Sequence, residues 1–446
     1  MKERRSRPSY NKIIVFGFLI VILVGGLLLM LPFSSADGSW TDPLTALFTS
    51  TSATCVTGLI VVDTGSHWSF FGKLVILLLI QVGGLGFMTV ITAASVLIHK
   101  RIGLHNRTLL MQATGAMTHS GVRQLILRIV TGTFIFECAG AALLAVRFIP
   151  QMGAARGIRY AIFHSVSAFC NAGFDLMGRY APFSSFTAYS GDPLVCLTLC
   201  ALIVIGGIGF VIWGDIAENR FRFKKYDLHS KLSVTVSAVL ILSGWILFFF
   251  SEKDASMSSM STGERILASL FHSVSTRTAG MNTADLSRIS DSGSLLSCVF
   301  MLIGGSPAST AGGVKTTTVA VLVLSAFATA TRRGSVTVFR RSIDDAAVKR
   351  AGSIVTVYVS AVIAAVFAIC ALEPLGLKEI LFEVVSAVGT VGLSMGVTPQ
   401  LHTASRAVIM FLMFAGRIGG MSLALFLGEN HRSVKTDRPP ENILIG

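Results

Sequence analysis

Charged residues are scarce in this chain of 446 residues, since Asp, Glu, Lys and Arg make up only 13% of it. Soluble globular domains carry about 25% charged residues, and half of that share cannot coat a water-facing surface. Hydrophobic residues reach 52%, and the mean hydropathy is +0.71. The composition therefore excludes a soluble globular enzyme and a disordered chain, and it favours a protein that crosses a membrane several times.

Cysteine is also sparse. The seven cysteines are spread along the chain without a CxxC pair, so the sequence predicts neither a zinc site nor a disulfide framework. The phosphate-binding pattern GxxxxGK[ST] and a dinucleotide fingerprint after a strand are missing too, so no signature of ATP hydrolysis is present. The spans also lack the clustered His, Asp and Glu that a membrane-embedded enzyme needs, and we predict that the protein is not an enzyme.

Eight stretches are apolar enough to predict spans, because a bilayer core needs roughly 20 apolar residues of helix. They are residues 13–31, 70–98, 122–148, 192–214, 230–250, 292–330, 351–372 and 403–428. The first is interpreted as a span rather than a signal peptide, since its apolar run is long for a signal sequence. Four stretches between paired spans are too short or too polar to cross. They are residues 41–54, 156–170, 262–277 and 376–390.

Lys and Arg are concentrated in segments that these spans place on one side of the membrane. The segments are residues 1–12, 99–128, 215–231, 331–350 and 429–446. Because cytoplasmic segments carry an excess of Lys and Arg, we predict a multi-pass protein of the cell membrane with both termini in the cytoplasm. The net charge of +14 is then a signal of orientation, and nucleic-acid binding is not needed to explain it.

A motif repeats at the end of each short stretch. It reads Ser52-Ala-Thr-Cys-Val-Thr-Gly58, Ser167-Ala-Phe-Cys-Asn-Ala-Gly173, Ser275-Thr-Arg-Thr-Ala-Gly280 and Ser386-Ala-Val-Gly-Thr-Val-Gly392. The sequence thus predicts an all-α integral membrane fold of four tandem span–pore-helix–span repeats, with eight transmembrane helices arranged pseudo-fourfold around one central pore. The repeats are residues 13–98, 122–214, 230–330 and 351–428, between cytosolic termini 1–12 and 429–446.

The repeated loops are expected to form a selectivity filter. Irregular backbone at membrane depth is tolerated only against protein or a water-filled cavity, and helix carboxyl ends and carbonyl oxygens favour a cation such as K⁺. No carboxylate lies in the four loops, which disfavours calcium. The predicted filter residues are Thr54, Cys55, Val56, Thr57, Gly58, Cys170, Asn171, Ala172, Gly173, Thr278, Ala279, Gly280, Gly389, Thr390, Val391 and Gly392, with K⁺ held transiently at Gly58, Gly173, Gly280 and Gly392.

The sixth predicted span is too long for one crossing and is interrupted between residues 304 and 315. Pro307 breaks helical bonding and the flanking glycine pairs permit sharp bends, so we predict a flexible intramembrane gate, with a packing kink as the alternative. Arg417 lies mid-span, where an ionisable group is a functional candidate. The predicted gate residues are Gly304, Gly305, Ser306, Pro307, Ala308, Ser309, Thr310, Ala311, Gly312, Gly313, Lys315 and Arg417.

Several polar side chains near the loops have two possible roles. Asp63, Asp175 and Asp285 follow three of the loops and are predicted to attract cations at the pore mouth, with solvated loop charges as the alternative. His164 and His272 are predicted to lie at the starts of their half-helices in a structural role. Arg277 is predicted to point behind its loop.

The repeated units resemble the Trk/Ktr/HKT superfamily of potassium transporters over residues 10–430, and the eight-span length is most similar to the KtrB-type membrane subunits of bacterial Ktr systems. The motifs that match are Val-Thr-Gly-Leu (56–59), Asn-Ala-Gly-Phe (171–174), Thr-Ala-Gly-Met (278–281) and Thr-Val-Gly-Leu (390–393). The resemblance implies potassium uptake, because a serine in place of Gly58 marks the sodium-preferring plant members. Met281 departs from the Phe that is common in the third repeat.

The resemblance also implies partners. It implies a homodimer with one pore per subunit, and control by a cytosolic KtrA-like ring of nucleotide-binding subunits. The basic inner loops are candidate docking surfaces, with plain topological charge as the alternative; they include Arg332, Arg333, Arg340 and Arg341. No covalently bound cofactor is expected, K⁺ is the transported ion, and sodium is an open candidate as coupling ion.

A second function is weighed against potassium uptake. A sodium or mixed-cation secondary transporter with alternating access would also show glycine-interrupted spans. Such a carrier predicts two related halves, whereas this chain shows four parallel units. The sequence does not decide between channel-like and carrier-like kinetics.

Overall fold

The computed structural model describes residues 10–86, 89, 122–179, 181–220 and 222–419. These residues are predominantly helical. The helices are α1 Tyr10–Met30, α2 Pro43–Thr54, α3 Thr64–His67, α4 Phe70–Leu85, α5 Val122–Met152, α6 Ala154–Phe169, α7 Pro193–Gly207, α8 Phe210–Asn219, α9 Leu228–Ser251, α10 Thr262–Ser275, α11 Asp291–Leu302, α12 Thr316–Ala330, α13 Asp345–Leu372, α14 Leu377–Gly389 and α15 Thr403–Ile418. A short antiparallel ribbon pairs β1 Thr337–Val338 with β2 Arg341–Ser342.

Four helices of the described residues are long and apolar enough to cross a membrane, namely α1, α5, α9 and α13. A fifth is added if the bent pair α7 and α8 counts as one span. The four long helices coincide with the first predicted span of each repeat. The second predicted spans are shorter helices, and each of them ends or breaks near a glycine.

Within the predicted span 192–214 the helix is not continuous, because α7 and α8 meet at a bend of 95°. The physical reason is Gly209, whose φ of +107° cannot continue a right-handed helix. Similarly, α4 ends at Leu85 before Gly86 (φ +83°), and α15 ends at Ile418 before Gly419 (φ +94°). Residues 90–98 and 420–428 of the predicted spans lie outside the described residues.

Four short helices, α2, α6, α10 and α14, lie within about two residues of the half-helices predicted from the sequence. We call them the pore helices. Two begin at side-chain caps: Asp42 accepts a bond from the Thr45 N–H, and Ser261 forms a capping box with Glu264. In all four, the repeated glycine motif begins within the last four residues of the helix and continues beyond it, so the motif glycines follow the carboxyl ends of these helices.

A serine in the carboxyl-terminal half of three pore helices ties each of them to the long helix that precedes it, namely α1, α5 or α9. Each hydroxyl donates to a backbone carbonyl of that span: Ser50 to Ile22 (2.7 Å), Ser165 to Glu137 (2.6 Å) and Ser273 to Ile241 (2.8 Å). Bonds of this kind hold helices together within a membrane, where apolar side chains gain little by leaving lipid. The spans therefore act as supports that fix where each pore helix ends.

Candidate functional site

The four glycine motifs meet in a closed ring, in which each glycine packs against the residue before the glycine of the next motif. A Cβ atom placed on Gly58 would lie 2.6 Å from the Ala172 carbonyl oxygen, and one on Gly173 would lie 3.0 Å from the Ala279 carbonyl oxygen. The other two glycines make the same contact. A Cβ atom added to Gly280 would overlap the Val391 carbonyl oxygen, and one added to Gly392 would overlap the Thr57 carbonyl oxygen, which closes the ring. Only glycine fits this ring.

The backbone of every motif alternates between left-handed conformation, with positive φ, and conformations with negative φ. Two residues in each motif are left-handed, with φ between +52° and +96°, and the residue between them is not; the left-handed pairs are Val56 and Gly58, Asn171 and Gly173, Thr278 and Gly280, and Thr390 and Gly392. In an extended strand successive carbonyls point in opposite directions, whereas alternation of hand turns them toward the same side. The motifs therefore have the backbone pattern that can direct successive carbonyl groups to one side, and one carbonyl oxygen of each motif lies beside the glycine of its neighbour.

The left-handed residues other than glycine carry strain. A left-handed conformation costs an ordinary residue about 1–2 kcal/mol, and it is least suited to β-branched side chains such as those of Val56 and Thr390. Strain of this kind persists where surrounding structure imposes it, and it clusters at functional sites. Nothing in the sequence of a β-branched residue signals this conformation.

The first serine of each motif fixes the ring from behind. The hydroxyls of Ser52 and Ser386 accept bonds from the N–H groups of Gly58 and Gly392, both at 3.0 Å. In the other two motifs the serine donates to the carbonyl after the glycine: Ser167 to Phe174 (2.6 Å) and Ser275 to Met281. The sequence singled out these serines as the start of the motif without giving them a role.

Residues 303–315 form a non-helical loop between α11 and α12, which we call the intramembrane loop. It is hydrogen-bonded to the break between α7 and α8. The backbone bonds run from Ser306 N–H to Gly207 O (3.0 Å), from Thr310 N–H to Gly206 O (3.3 Å) and from Phe210 N–H to Ala308 O (2.8 Å). The predicted interruption of the span is therefore present, and it is held by ordered backbone contacts.

The intramembrane loop lies directly against the glycine motifs. Thr310 Oγ1 is 3.2 Å from the Phe169 carbonyl oxygen and 3.1 Å from the side-chain amide of Asn171. On the opposite side, Gly312 packs so closely on Thr390 that an added Cβ would overlap the Thr390 hydroxyl. The loop thus touches the motifs of the second and fourth repeats, and its position is coupled to theirs.

Arg417 joins the intramembrane loop to the first repeat. Its guanidinium donates to the carbonyl oxygens of Thr310, Gly83 and Gly84, the last at 3.0 Å. Lys315 Nζ donates to the Ala311 carbonyl oxygen at 2.6 Å. Neither cation forms an ion pair with a carboxylate of the described residues. The structure therefore places two basic side chains at the loop, bonded to backbone carbonyls rather than to carboxylates of the described residues.

A cavity of about 290 Å³ lies on the other side of the ring, and all four motif glycines line it. We call it the vestibule. Asp175 and Asp285 line it as well. Asp63 lies beside it: its carboxylate accepts the N–H groups of Ser66 (2.8 Å) and Phe183 (3.1 Å), and Phe183 lines the cavity. Attraction of cations by these carboxylates stays a prediction.

Three further side chains have structural contacts. Arg277 donates to Ser237 Oγ at 3.0 Å on α9, behind the ring. His164 lies more than one turn before the end of α6, and His272 lies in the last turn of α10, so their predicted placement at the helix starts is wrong. The reason is that the pore helices begin well before the repeated motif. Each ring Nε2 contacts the chain that follows: the Leu176 N–H for His164 and the Ser297 hydroxyl for His272, both at 2.9 Å.

Together these features define a helical membrane protein in which backbone carbonyls converge on a narrow ring. A family model described as TrkH, cation transport protein, matches residues 2–436, and the chain belongs to this family. The predicted membership of the Trk/Ktr superfamily is therefore confirmed.

The chain is similar along its length to several curated transporters. It is 40% identical to the potassium/sodium uptake protein NtpJ of Enterococcus hirae, over 100% of this chain and 99% of that protein. It is 37% identical to the Ktr system potassium uptake protein B of Bacillus subtilis (95% of this chain, 94% of that protein). The Vibrio alginolyticus protein of the same name is 35% identical (100% and 97%).

A solved structure supports the fold. The potassium transporter TrkH from Vibrio parahaemolyticus matches with a TM-score of 0.75 at 17% identity, over 96% of this chain and 86% of that one. The all-helical class predicted from the sequence is confirmed by this match.

Proposed function

We propose that this protein takes up potassium across the cell membrane, with the ring of four glycine motifs as its selectivity filter. The observation that carries the proposal is the repeated packing of each glycine on the carbonyl of the next motif. A ring of carbonyl oxygens replaces the hydration shell of K⁺ as the ion enters. The hydroxyls of Thr54, Thr57 and Thr390 are buried and have no hydrogen-bond partner among the described residues, and they add further oxygen atoms around the ring.

The proposed topology has eight spans in four repeats around one pore. The first spans are α1, α5, α9 and α13, and the second spans are the broken or shortened helices that follow the motifs. Both termini lie in the cytoplasm in this arrangement, as the distribution of Lys and Arg suggests. The vestibule then opens outside, and the intramembrane loop lies on the cytoplasmic side of the filter.

The intramembrane loop is the proposed gate. It touches two filter motifs, and Arg417 fixes it to the end of α4. A positive charge below the filter raises the barrier to a cation. Movement of the loop away from the filter would remove both the obstruction and the bonds that hold Arg417 in place.

Regulation by a separate subunit is also proposed. Two of the similar proteins are named as components of a Ktr system. Arg333 and Arg341 are exposed near the β1–β2 ribbon, on the face that the proposed topology puts in the cytoplasm. We propose that this face docks a KtrA-like ring of nucleotide-binding subunits, and that the membrane subunit is a homodimer.

Flux of ⁸⁶Rb⁺ and ²²Na⁺ into proteoliposomes, measured with and without the proposed cytosolic regulatory subunits, tests the function. We expect rubidium uptake to exceed sodium uptake at least about tenfold, because the carbonyl ring suits an ion of the size of K⁺. The name of the Enterococcus hirae relative favours a second candidate, a transporter that also carries sodium. Equal uptake of the two ions would support that candidate, whereas rescue of a potassium-uptake-deficient bacterium at low potassium would support the first.

External acid is expected to slow uptake through Asp175. Burial raises the pKa of this vestibule carboxyl to about 6, and the nearby Asp63 carboxylate adds to the rise. Above pH 6 the side chain is negative and attracts cations to the filter; below pH 6 it is neutral. Uptake at subsaturating potassium should therefore fall about three- to tenfold as the external pH drops from 7.5 to 5.

The control for this titration is Asp285→Asn, which removes a carboxylate from the same cavity. Asp175→Asn should give low uptake at every pH, without the step near pH 6. Asp285→Asn should lower uptake but keep the step. A step of unchanged size and midpoint in Asp175→Asn would rule out this residue as its source.

A further inference from the structure

A surface groove lies between α4 and α6, away from the filter and the gate. It has a volume of about 570 Å³, within the range of about 300–1,000 Å³ that is typical of ligand sites. Its walls are mostly apolar. Three apolar side chains in them are well exposed, with exposed fractions of 64% for Phe70, 41% for Leu74 and 45% for Ile162. We call it the α4–α6 groove. In the proposed topology it faces the lipid near the outer surface.

Three basic side chains line the α4–α6 groove: Lys73, Arg156 and Arg159. Lys73 Nζ donates to the Gly65 carbonyl oxygen at 2.7 Å, and Arg159 Nε donates to the Ala155 carbonyl oxygen at 2.9 Å. The Arg159 guanidinium also lies 5.8 Å from the centre of the Phe70 ring. None of the three forms an ion pair with a carboxylate in the described part of the chain.

The carboxylate of Asp63 acts electrostatically on Lys73, but its oxygens are already used. They accept the N–H groups of Ser66 and Phe183 and the Ser66 hydroxyl. Among the described residues, the three cations are therefore not paired with a carboxylate. Their position also runs against the preference of Lys and Arg for the cytoplasmic side. The preference of Lys and Arg for the cytoplasmic side therefore does not explain why Lys73, Arg156 and Arg159 lie together here.

We propose that the α4–α6 groove binds an anionic phospholipid of the outer leaflet, with its phosphate among Lys73, Arg156 and Arg159 and an acyl chain along the apolar wall. Arginine binds phosphate oxygens through two parallel hydrogen bonds, and clustered basic residues at a membrane surface attract anionic headgroups. The assignment to the outer leaflet rests on the proposed topology, whereas the binding itself does not depend on transport.

A lipid fits this groove better than a second copy of the chain. A symmetric interface brings the same patch of both subunits together, so three unpaired cations from each copy would meet. Like charges that face one another oppose association. An anionic headgroup instead neutralises the cluster, and the exposed apolar wall has a natural partner in the acyl chain.

Native mass spectrometry of the purified protein tests the proposal. The protein is incubated in detergent with equal amounts of phosphatidylglycerol and phosphatidylcholine of the same chain length. Wild type should retain phosphatidylglycerol over phosphatidylcholine at least about fivefold, since each basic residue near a headgroup adds to the attraction. The variant K73Q/R156Q/R159Q should bring that ratio close to one. Free glycerol phosphate in excess should leave lipid binding unchanged.

The charge-matched control is K253Q/R265Q/K378Q, which removes three basic residues outside the groove, and it should keep the wild-type ratio. Ile162→Trp fills the apolar wall without changing charge, and it should lower retention of phosphatidylglycerol about threefold or more. Ile162→Trp is the variant to measure if K73Q/R156Q/R159Q does not fold. An unchanged ratio in the groove variant, an equal loss in the control, or loss of dimer mass with lipid binding intact would overturn the proposal.

Discussion

Gly392→Ala is expected to reduce potassium uptake at least about a hundredfold. The added methyl group would overlap the Thr57 carbonyl oxygen in the neighbouring motif. The backbone there has a φ of +93°, and this left-handed conformation costs alanine about 1 kcal/mol more. Overpacking of a tight site costs roughly 1–3 kcal/mol, so the ring must open, and the carbonyls no longer surround the ion together. The measurement is ⁸⁶Rb⁺ uptake into proteoliposomes.

Gly396→Ala is the matched control for this substitution. Gly396 has a φ of +90° in the same repeat, but nothing lies within 4 Å of an added Cβ. The two variants therefore share the backbone strain and differ only in the steric contact. Gly396→Ala should fold and retain most of the uptake. Comparable uptake by both variants would show that close packing of the ring is not required.

Arg417→Gln is expected to raise the potassium flux through the protein without its regulatory subunits at least about tenfold, which needs about 1.4 kcal/mol of the barrier to be removed. A unit charge several ångströms from the ion path contributes a few kcal/mol at an effective dielectric constant of about 20. The substitution removes that barrier and also releases the bonds to Thr310, Gly83 and Gly84. Flux through the unregulated protein should therefore increase, and the additional effect of the ring should become smaller.

Two further variants separate the charge of Arg417 from its bonds. Arg417→Lys keeps the charge but lacks the planar fork that contacts both the loop and the end of α4. We expect its flux to lie between those of wild type and Arg417→Gln. Deletion of residues 308–312 removes the loop that Arg417 holds, and it should increase flux as well. Wild-type flux and regulation in both Arg417→Gln and the deletion would contradict the gate.

The pore helices could be predicted from the sequence because their signals are local. The Asp42-Pro43 and Ser261-Glu264 caps mark two of the starts, and the repeated Ser-to-Gly motif marks every end. The convergence of the motifs was inferred indirectly, since irregular backbone at membrane depth needs protein or water beside it. That inference required four copies, because a single glycine loop is also a common helix end.

The parts that the sequence missed depend on tertiary structure. The break at Gly209 occurs because the intramembrane loop supplies a partner for the freed Phe210 N–H, which an isolated hydrophobic run cannot reveal. The left-handed conformation of Val56 opposes its own preference and is imposed by the ring. The bond between the Asp63 carboxylate and the Phe183 N–H joins residues 120 positions apart, which the sequence alone does not reveal.

The central claim is that one dehydrated monovalent cation is held where the four motifs meet. Anomalous diffraction from crystals grown in rubidium tests it most directly. The account expects a rubidium peak inside the ring, coordinated by main-chain oxygens from all four motifs, including Thr57, Ala172, Ala279 and Val391. A structure at comparable resolution with rubidium bound elsewhere, and with none between these oxygens, would contradict it.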